Sequence, residues 1–109
     1  KFVQPEQKAF AAAAANADWK SAPGMGVVLT DEPGAESWPV TAATFILVHK
    51  TQDKPVQGKA VLDFFDWAFK NGAKSAEAMD YVPLPEAVTK EIRAAWGEVK
   101  TADGKPVWK

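Results

Sequence analysis

The feature that most constrains this chain is a rigid Trp-Pro pair leading into its most apolar run. Trp38 and Pro39 open the stretch WPVTAATFILVHK, and every residue from 45 to 48 is apolar. Its β-branched and aromatic content is typical of a strand. Strands that are apolar on both faces usually lie inside a sheet covered on both sides, as in α/β proteins. We call residues 45–48 the apolar run and predict that it is a buried strand.

The apolar run needs more strand neighbours than the rest of the chain predicts. Only MGVVLTDEPG, residues 25–34, has the composition of a second strand, and it ends at a predicted turn at Pro33-Gly34. Two adjacent strands make a poor sheet alone. We therefore expect the missing strands to lie in sequence outside these 109 residues. A start at Lys1, with no Met and no hydrophobic leader, suggests a processed or truncated chain.

Helices are predicted around these strands from alanine content, apolar spacing and proline starts. Pro5, Pro55 and Pro85 are placed at the first helical positions, and Asn71-Gly72 is predicted to form a left-handed C-terminal cap. A turn at Asp103-Gly104 is followed by a predicted short edge strand. The predicted helices cover residues 6–19, 55–72, 74–80 and 85–99.

Apolar residues at helical spacing mark the predicted buried faces of two long helices. Glu86 and Lys90 are spaced for an i,i+4 ion pair on the second of them. The first face is predicted to contain Val61, Leu62, Phe65, Ala68 and Phe69, and the second Val88, Ile92, Ala95, Trp96 and Val99.

Composition excludes several classes of partner. A net charge of −1, from 13 basic and 14 acidic residues, gives no electrostatic footprint for nucleic acid or for an anionic membrane. The absence of cysteine excludes disulfides and cysteine-based zinc sites. No stretch approaches the roughly 20 apolar residues of a membrane span.

Few side chains have the chemistry of a catalytic site, and each has a simpler structural interpretation. His49 is the only histidine, so no second ligand or nucleophile of the usual type accompanies it. Asp63 and Asp66 lie one helical turn apart, a spacing that suits acid–base chemistry when two pKa values are pushed apart. The phenylalanines between them take the buried side, which predicts a solvated flank. Arg93, the only arginine, is predicted to form a surface ion pair.

The tryptophans raise the alternative of an aromatic platform for sugars or bases. Trp67 and Trp96 fall on or near apolar stripes and are predicted to be core residues, whereas Trp19 and Trp108 lie near breaks. The glycines at 24 and 26 lack the context of a phosphate loop and predict a turn. No catalytic, ligand-binding or metal-ligating residue and no cofactor is assigned.

Five stretches carry a family resemblance when they are taken together and in order: AAAANADWK, WPVTAATFILVHK, VLDFFDWAFKNGAK, MDYVPLP and EIRAAWGEVKTADGKPV. They resemble the C-terminal third of the periplasmic phosphate-binding protein of the phosphate ABC transporter, the PstS family. The resemblance covers essentially the whole chain. It departs from the family at Val82-Pro83, where Ser or Ala is expected, and at the ending VWK.

The resemblance implies the C-terminal portion of a two-lobed α/β fold, type II-like among periplasmic binding proteins, with an incomplete sheet. Such a protein captures inorganic phosphate between hinged lobes and delivers it to a membrane permease. Residues 1–36 then correspond to the end of the second lobe, 37–50 to a hinge crossover with a buried strand, and 51–109 to the first lobe. The family's ligand contacts lie upstream, so neither Thr41 nor Thr44 is assigned to the ligand.

Two other hypotheses stay open at this point. Exposed strand edges and aromatics favour an association module that pairs with the missing N-terminal portion, or with itself, without its own ligand site. A small hydrolase using Asp63 and Asp66 requires raised carboxyl pKa values in a cleft.

Overall fold

The fold combines helices with a small parallel sheet, seen in a computed structural model that describes residues 2–109. Lys1, the first residue of the predicted 1–36 segment, lies outside the described residues. Strands β1 (Thr51–Gln52) and β2 (Lys100–Thr101) pair in parallel, with Thr51 opposite Lys100. The elements in this range are α1 (Gln7–Asn16), a 3₁₀ turn (Pro23–Met25), β1 (Thr51–Gln52), α2 (Pro55–Asn71), α3 (Ala73–Ala78), α4 (Glu86–Trp96) and β2 (Lys100–Thr101).

All four predicted helices are present; their starts shift by two residues or fewer, and α1 and α4 end at Asn16 and Trp96, three residues before the predicted bounds. Helix α2 begins at Pro55 as predicted, because proline's fixed φ suits the first turn. Helix α4 begins one residue after Pro85, which is extended (φ −57°, ψ 149°). Helix α1 begins two residues after Pro5, because Glu6 is still extended (φ −110°, ψ 157°). Proline therefore marked the starts of α1, α2 and α4 to within two residues.

The predicted left-handed cap at Asn71-Gly72 is wrong. Gly72 has a right-handed conformation (φ −86°, ψ −4°), because α3 begins at the next residue and continues the same handedness. The left-handed residue falls instead at Asp80 (φ 62°), just beyond α3. There the N–H of Tyr81 donates to the carbonyl of Ala76 at 2.9 Å, as expected of a helix that ends in this way.

The two predicted strands do not form within this chain. Residues 25–34 contribute only an isolated antiparallel bridge between Thr30 and Val40. The apolar run has no strand pairing, and Leu47 within it is 94% exposed. A strand is stabilised by hydrogen bonds to a neighbour, and the described residues place no neighbour beside this run. Its burial by sequence outside this chain remains a prediction.

Two turns agree with the sequence-based expectation. Gly34 adopts a positive φ of 111°, and Gly104 one of 82°, both at positions where glycine tolerates that conformation. After Gly104 the tail forms a single bridge from Pro106 to Lys100 in place of the predicted edge strand. The pairing strand β2 lies before that turn rather than after it.

The first hydrophobic cluster joins the N-terminal part of the chain to α4. Its buried members are Ala14, Trp19, Leu29 and Val88. The indole N–H of Trp19 donates to the carbonyl of Ala14 at 2.7 Å, in the last turn of α1. Carbonyls there have no partner within the helix, so the buried tryptophan both fills the cluster and caps α1.

The second hydrophobic cluster lies between α2, α4 and the C-terminal tail. The ring of Trp96 stacks on the ring of Phe69, with centroids 6.0 Å apart. The ring of Trp108 packs edge-on against Trp96, with centroids 5.0 Å apart. Leu62 at the centre is fully buried, whereas Val61 beside it is 45% exposed. The buried members are Leu62, Trp96, Val99 and Val107.

The buried faces therefore differ in part from those predicted. Burial is confirmed for Leu62, Val88, Trp96 and Val99. It is wrong for Val61 and Ala95, which face solvent. The core position predicted for Trp67 is also wrong, since this side chain is 58% exposed.

Candidate functional site

A polar network between α2 and α4 contains the only arginine. The Nε of Arg93 donates to Asp66 Oδ1 at 2.7 Å, and its Nη1 donates to the Thr89 hydroxyl at 3.3 Å. The guanidinium carbon lies 5.7 Å from the centre of the Phe69 ring, within cation–π range. The other Asp66 oxygen accepts from Lys70 Nζ at 2.5 Å. One carboxylate thus holds two cations from two helices.

This network is more buried than the surface ion pair predicted for Arg93. The Arg93 and Asp66 side chains are 23% and 16% exposed. Glu91, the neighbour in sequence, pairs instead with Lys20 at 3.7 Å. Asp66 and Arg93 are 27 positions apart, so local spacing gave no signal for their contact. The pair fixes the position of α4 against α2.

The electrostatics of Asp66 oppose an acid–base role. Hydrogen bonds from Lys70 and then Arg93 hold the pKa of this carboxyl below its ordinary value. A general acid needs the opposite shift, a pKa raised towards neutrality. The hydrolase hypothesis required raised pKa values at both aspartates, so it fails at Asp66.

Asp63 makes a separate set of contacts on the exposed side of α2. It accepts from Lys59 Nζ at 2.6 Å and from the indole N–H of Trp108 at 3.1 Å. The second contact ties the C-terminal tail to α2 across 45 positions. Asp63 and Asp66 therefore bind different partners and do not form a catalytic pair.

Two shallow depressions lie beside the Arg93 network. Asp66 and Thr89 accept two of the guanidinium N–H groups of Arg93, and the Asp66 carboxylate disfavours an anion beside them. Glu86, on the rim of the larger depression, pairs with Lys90 at 3.0 Å and adds negative charge there. The larger has a volume of about 360 Å³ and is lined by Phe69, Lys70, Leu84, Glu86, Thr89 and Arg93. The smaller, about 180 Å³, is lined mainly by apolar side chains of α2, α3 and the 83–84 segment.

The remaining candidates stand apart from these depressions. His49 is exposed, and its main-chain carbonyl accepts from the Gln52 amide at 2.7 Å. The Thr41 hydroxyl donates to the carbonyl of Trp38 at 3.0 Å. The 24–26 glycines form the predicted turn, with Gly24 at φ 62°. Within residues 2–109 no three His, Asp or Glu side chains converge as metal ligands. That this chain supplies no ligand contact stays a prediction.

The lowered pKa of Asp66 predicts a specific acid dependence. A carboxylate whose folded-state pKa is depressed stabilises the fold above its unfolded-state pKa and loses that contribution as pH falls through the folded value. We expect Asp66→Asn to be less stable than the native chain at pH 7, with the difference shrinking below about pH 4. Urea unfolding at pH 7 and pH 3 measures it. A difference that is equal at both pH values contradicts this assignment.

The fold and the network together define a small α/β segment whose charged side chains join its helices. Its curated relatives share one class, because each of them is named as a phosphate-binding protein. No protein-family model matches the chain. The phosphate-binding protein PstS of Pasteurella multocida is 62% identical over 109 residues, which is 99% of this chain and 32% of that protein.

Two further relatives carry the same name. The phosphate-binding protein PstS of Haemophilus influenzae is 51% identical, and that of Xylella fastidiosa strain 9a5c is 48% identical, each over 96 residues. These matches cover 88% of this chain and 29% and 26% of the relatives. The chain belongs to the PstS family and corresponds to a C-terminal portion of it. It spans about a third of the length of the relatives it matches. None of the helices in residues 2–109 has the length and apolar content to cross a bilayer.

Proposed function

We propose that this chain is the C-terminal part of a substrate-binding protein that captures inorganic phosphate for an ABC transporter. The single observation that carries the proposal is 62% identity to the Pasteurella multocida phosphate-binding protein PstS along the length of the chain. The complete protein would have the two-lobed periplasmic-binding-protein fold and work in the periplasm. It would hold phosphate between its lobes and pass it to a membrane permease.

The lobes are proposed to divide this chain at the Trp-Pro crossover. Residues 1–36 end the second lobe, residues 37–50 cross between lobes, and residues 51–109 complete the first. Pro39 restricts its own φ and the conformation of Trp38, which keeps the entry to the crossover stiff. The packing of Val88 from α4 against Trp19 is then a contact between the lobes, beside the crossover.

The apolar run is proposed to be a strand of the first lobe, paired with strands from upstream sequence. Both ends of the run make contacts within this chain. The ring centroids of Phe45 and Trp19 lie 6.4 Å apart, and Val48 packs against the second cluster. Between them Leu47 is 94% exposed. The run leads directly to β1, which has a parallel partner, and parallel sheets are normally covered on both faces.

Phosphate titration of two proteins tests the function. The first is this chain alone; the second, which we call the hybrid protein, is the Pasteurella multocida PstS with its matched segment replaced by this chain. We expect saturable binding by the hybrid and no micromolar binding by the isolated chain, because the ligand contacts are expected to lie upstream of these residues. Isothermal titration calorimetry measures both. Thr44→Ala in the hybrid is the control and should leave the affinity unchanged.

Two results would contradict the proposal. Micromolar phosphate binding by the isolated chain would mean that a site exists within these residues. A folded hybrid that binds no phosphate, beside a Pasteurella multocida parent that does, would remove the assigned function.

The second candidate function is an association module without a ligand site of its own. The exposed Ile46 and Leu47 favour it, at 56% and 94% exposure. Sedimentation of the isolated chain distinguishes the two, because a module that pairs with itself forms dimers or larger species as concentration rises.

A further inference from the structure

Helix α2 is apolar on two opposite faces. Its inner face carries Leu62, Phe65 and Phe69, which pack in the second cluster. A second apolar stripe follows the spacing i, i+4, i+8 and i+11 along the opposite side of the helix. We call this stripe the outer face; it consists of Val56, Ala60, Phe64 and Trp67. A surface helix normally has one apolar stripe facing the core, so a second stripe on the opposite side calls for a second partner.

The outer face is open to solvent in this chain. Val56 is 83% exposed, and Phe64 and Trp67 are each 58% exposed. The rings of Phe64 and Trp67 stack with centroids 6.2 Å apart and planes 26° apart, which makes one continuous aromatic surface. Contiguous apolar patches of this kind mark contact surfaces rather than ordinary exterior.

The charges beside the outer face are neutralised within the helix. Lys59 pairs with Asp63 at 2.6 Å, and Lys70 pairs with Asp66 at 2.5 Å, each one turn apart. A partner would therefore meet an apolar surface with a neutral border. An anionic membrane finds no net attraction here, because the chain as a whole carries a charge of −1.

We propose that the outer face of α2 is a docking surface for the upstream part of the same polypeptide. The inner face is already occupied by α4 and the tail, so the outer face is left for another layer. The matched relatives extend well beyond this chain, which spans only 32%, 29% and 26% of them. In α/β proteins helices pack against parallel sheets. The strands in this chain contain two residues each, which is too little sheet to cover the second apolar face of the 17-residue helix α2.

This inference rests on the proposed function in one respect, that a longer polypeptide of the PstS type contains the chain. The outer face would be a second contact surface besides the apolar run, and its partner would be the upstream part of the same polypeptide. Helix α2 would be an internal layer of the first lobe, with α4 on one side and upstream sequence on the other.

Thiol labelling tests it cleanly, because the chain contains no cysteine. The variant Ala60→Cys places a thiol at the centre of the outer face, and Ala102→Cys places the control thiol in the exposed turn after β2. Both variants are made in the isolated chain and in the hybrid protein. Reaction with a small maleimide is followed by the mass of the labelled peptide. Asn71→Cys, at the end of the same face, replaces Ala60→Cys if that variant does not accumulate.

We expect position 60 to react on the order of tenfold or more slowly in the hybrid than in the isolated chain, and position 102 to react alike in both. Equal reactivity of position 60 in the two proteins would overturn the inference, even if the hybrid binds phosphate. Protection in the isolated chain that grows with its concentration would also overturn it, because a second copy would then cover the face. Protection in a hybrid that binds no phosphate would support the inference while the proposed function fails.

Discussion

Replacing Leu62 by alanine is expected to lower the free energy of unfolding of this chain by about 2–5 kcal/mol. Leu62 is the largest side chain that is fully buried, at 0% exposure, and it lies between α2, α4 and the tail. The substitution removes apolar surface from the second cluster and leaves a cavity that rigid aromatic neighbours fill poorly. Trp96 is the principal such neighbour, because Phe69 and Trp108 hold it on two sides.

Leu47→Ala is the matched control, since it makes the same chemical change at a position that is 94% exposed. In the isolated chain it should change the free energy of unfolding by no more than about 0.5 kcal/mol. Urea unfolding followed by circular dichroism measures both variants. Equal costs for Leu62→Ala and Leu47→Ala would mean that the second cluster does not stabilise the chain.

The same control has a second use in the hybrid protein. If upstream strands cover the apolar run, as proposed, Leu47→Ala removes a buried side chain there and its cost should rise to about 2 kcal/mol or more. A cost that stays near zero in the hybrid would show that Leu47 faces solvent in the longer protein as well.

Helices were predictable from this sequence because their hydrogen bonds join residues four apart. The start of α2 at Pro55 and the burial of Val88 and Trp96 on one face of α4 depend only on local order, and both agree with the structure. The cap at Gly72 failed because a second helix follows immediately, which a search for a helix end does not consider.

Strands were not predictable in the same way, because a strand needs a partner from elsewhere. The composition of the apolar run predicted a buried strand, but in this chain the run has no neighbour to bond with, and Leu47 is exposed. The strands that do pair, β1 and β2, contain two residues each and are brought together by helices between them. Nothing in their own sequence distinguished them.

The polar network was only half visible in the sequence. The Lys70–Asp66 and Lys90–Glu86 pairs follow from spacing along one helix. The contact of Arg93 with Asp66 joins two helices and depends on how they pack, so it appears only in the structure. Arg93 was predicted to form a surface ion pair; the ion pair forms, but with a partner on another helix and half-buried.

Trp19→Ala is expected to be the most damaging single substitution, with a cost of about 3–5 kcal/mol in the free energy of unfolding. Trp19 is 6% exposed and connects α1, Leu29 and Val88 in the first cluster. Its loss also leaves the carbonyl of Ala14, which accepts the indole N–H at 2.7 Å, without that partner. The matched control is Trp67→Ala, because Trp67 is 58% exposed and should cost about 1 kcal/mol or less in the isolated chain.

Trp19→Phe separates the two roles of the indole. Phenylalanine keeps most of the buried ring surface but cannot donate to Ala14, so the cap on α1 is lost while the first cluster is largely retained. The hydrogen-bond part of the cost should be about 1 kcal/mol, and the rest of the alanine penalty belongs to packing. Urea unfolding of the three variants decides between these contributions. If Trp19→Phe is as damaging as Trp19→Ala, the N–H bond to α1 contributes more than the packing of the ring. If Trp19→Ala costs no more than Trp67→Ala, the first cluster is not a core and the proposed contact between lobes loses its basis.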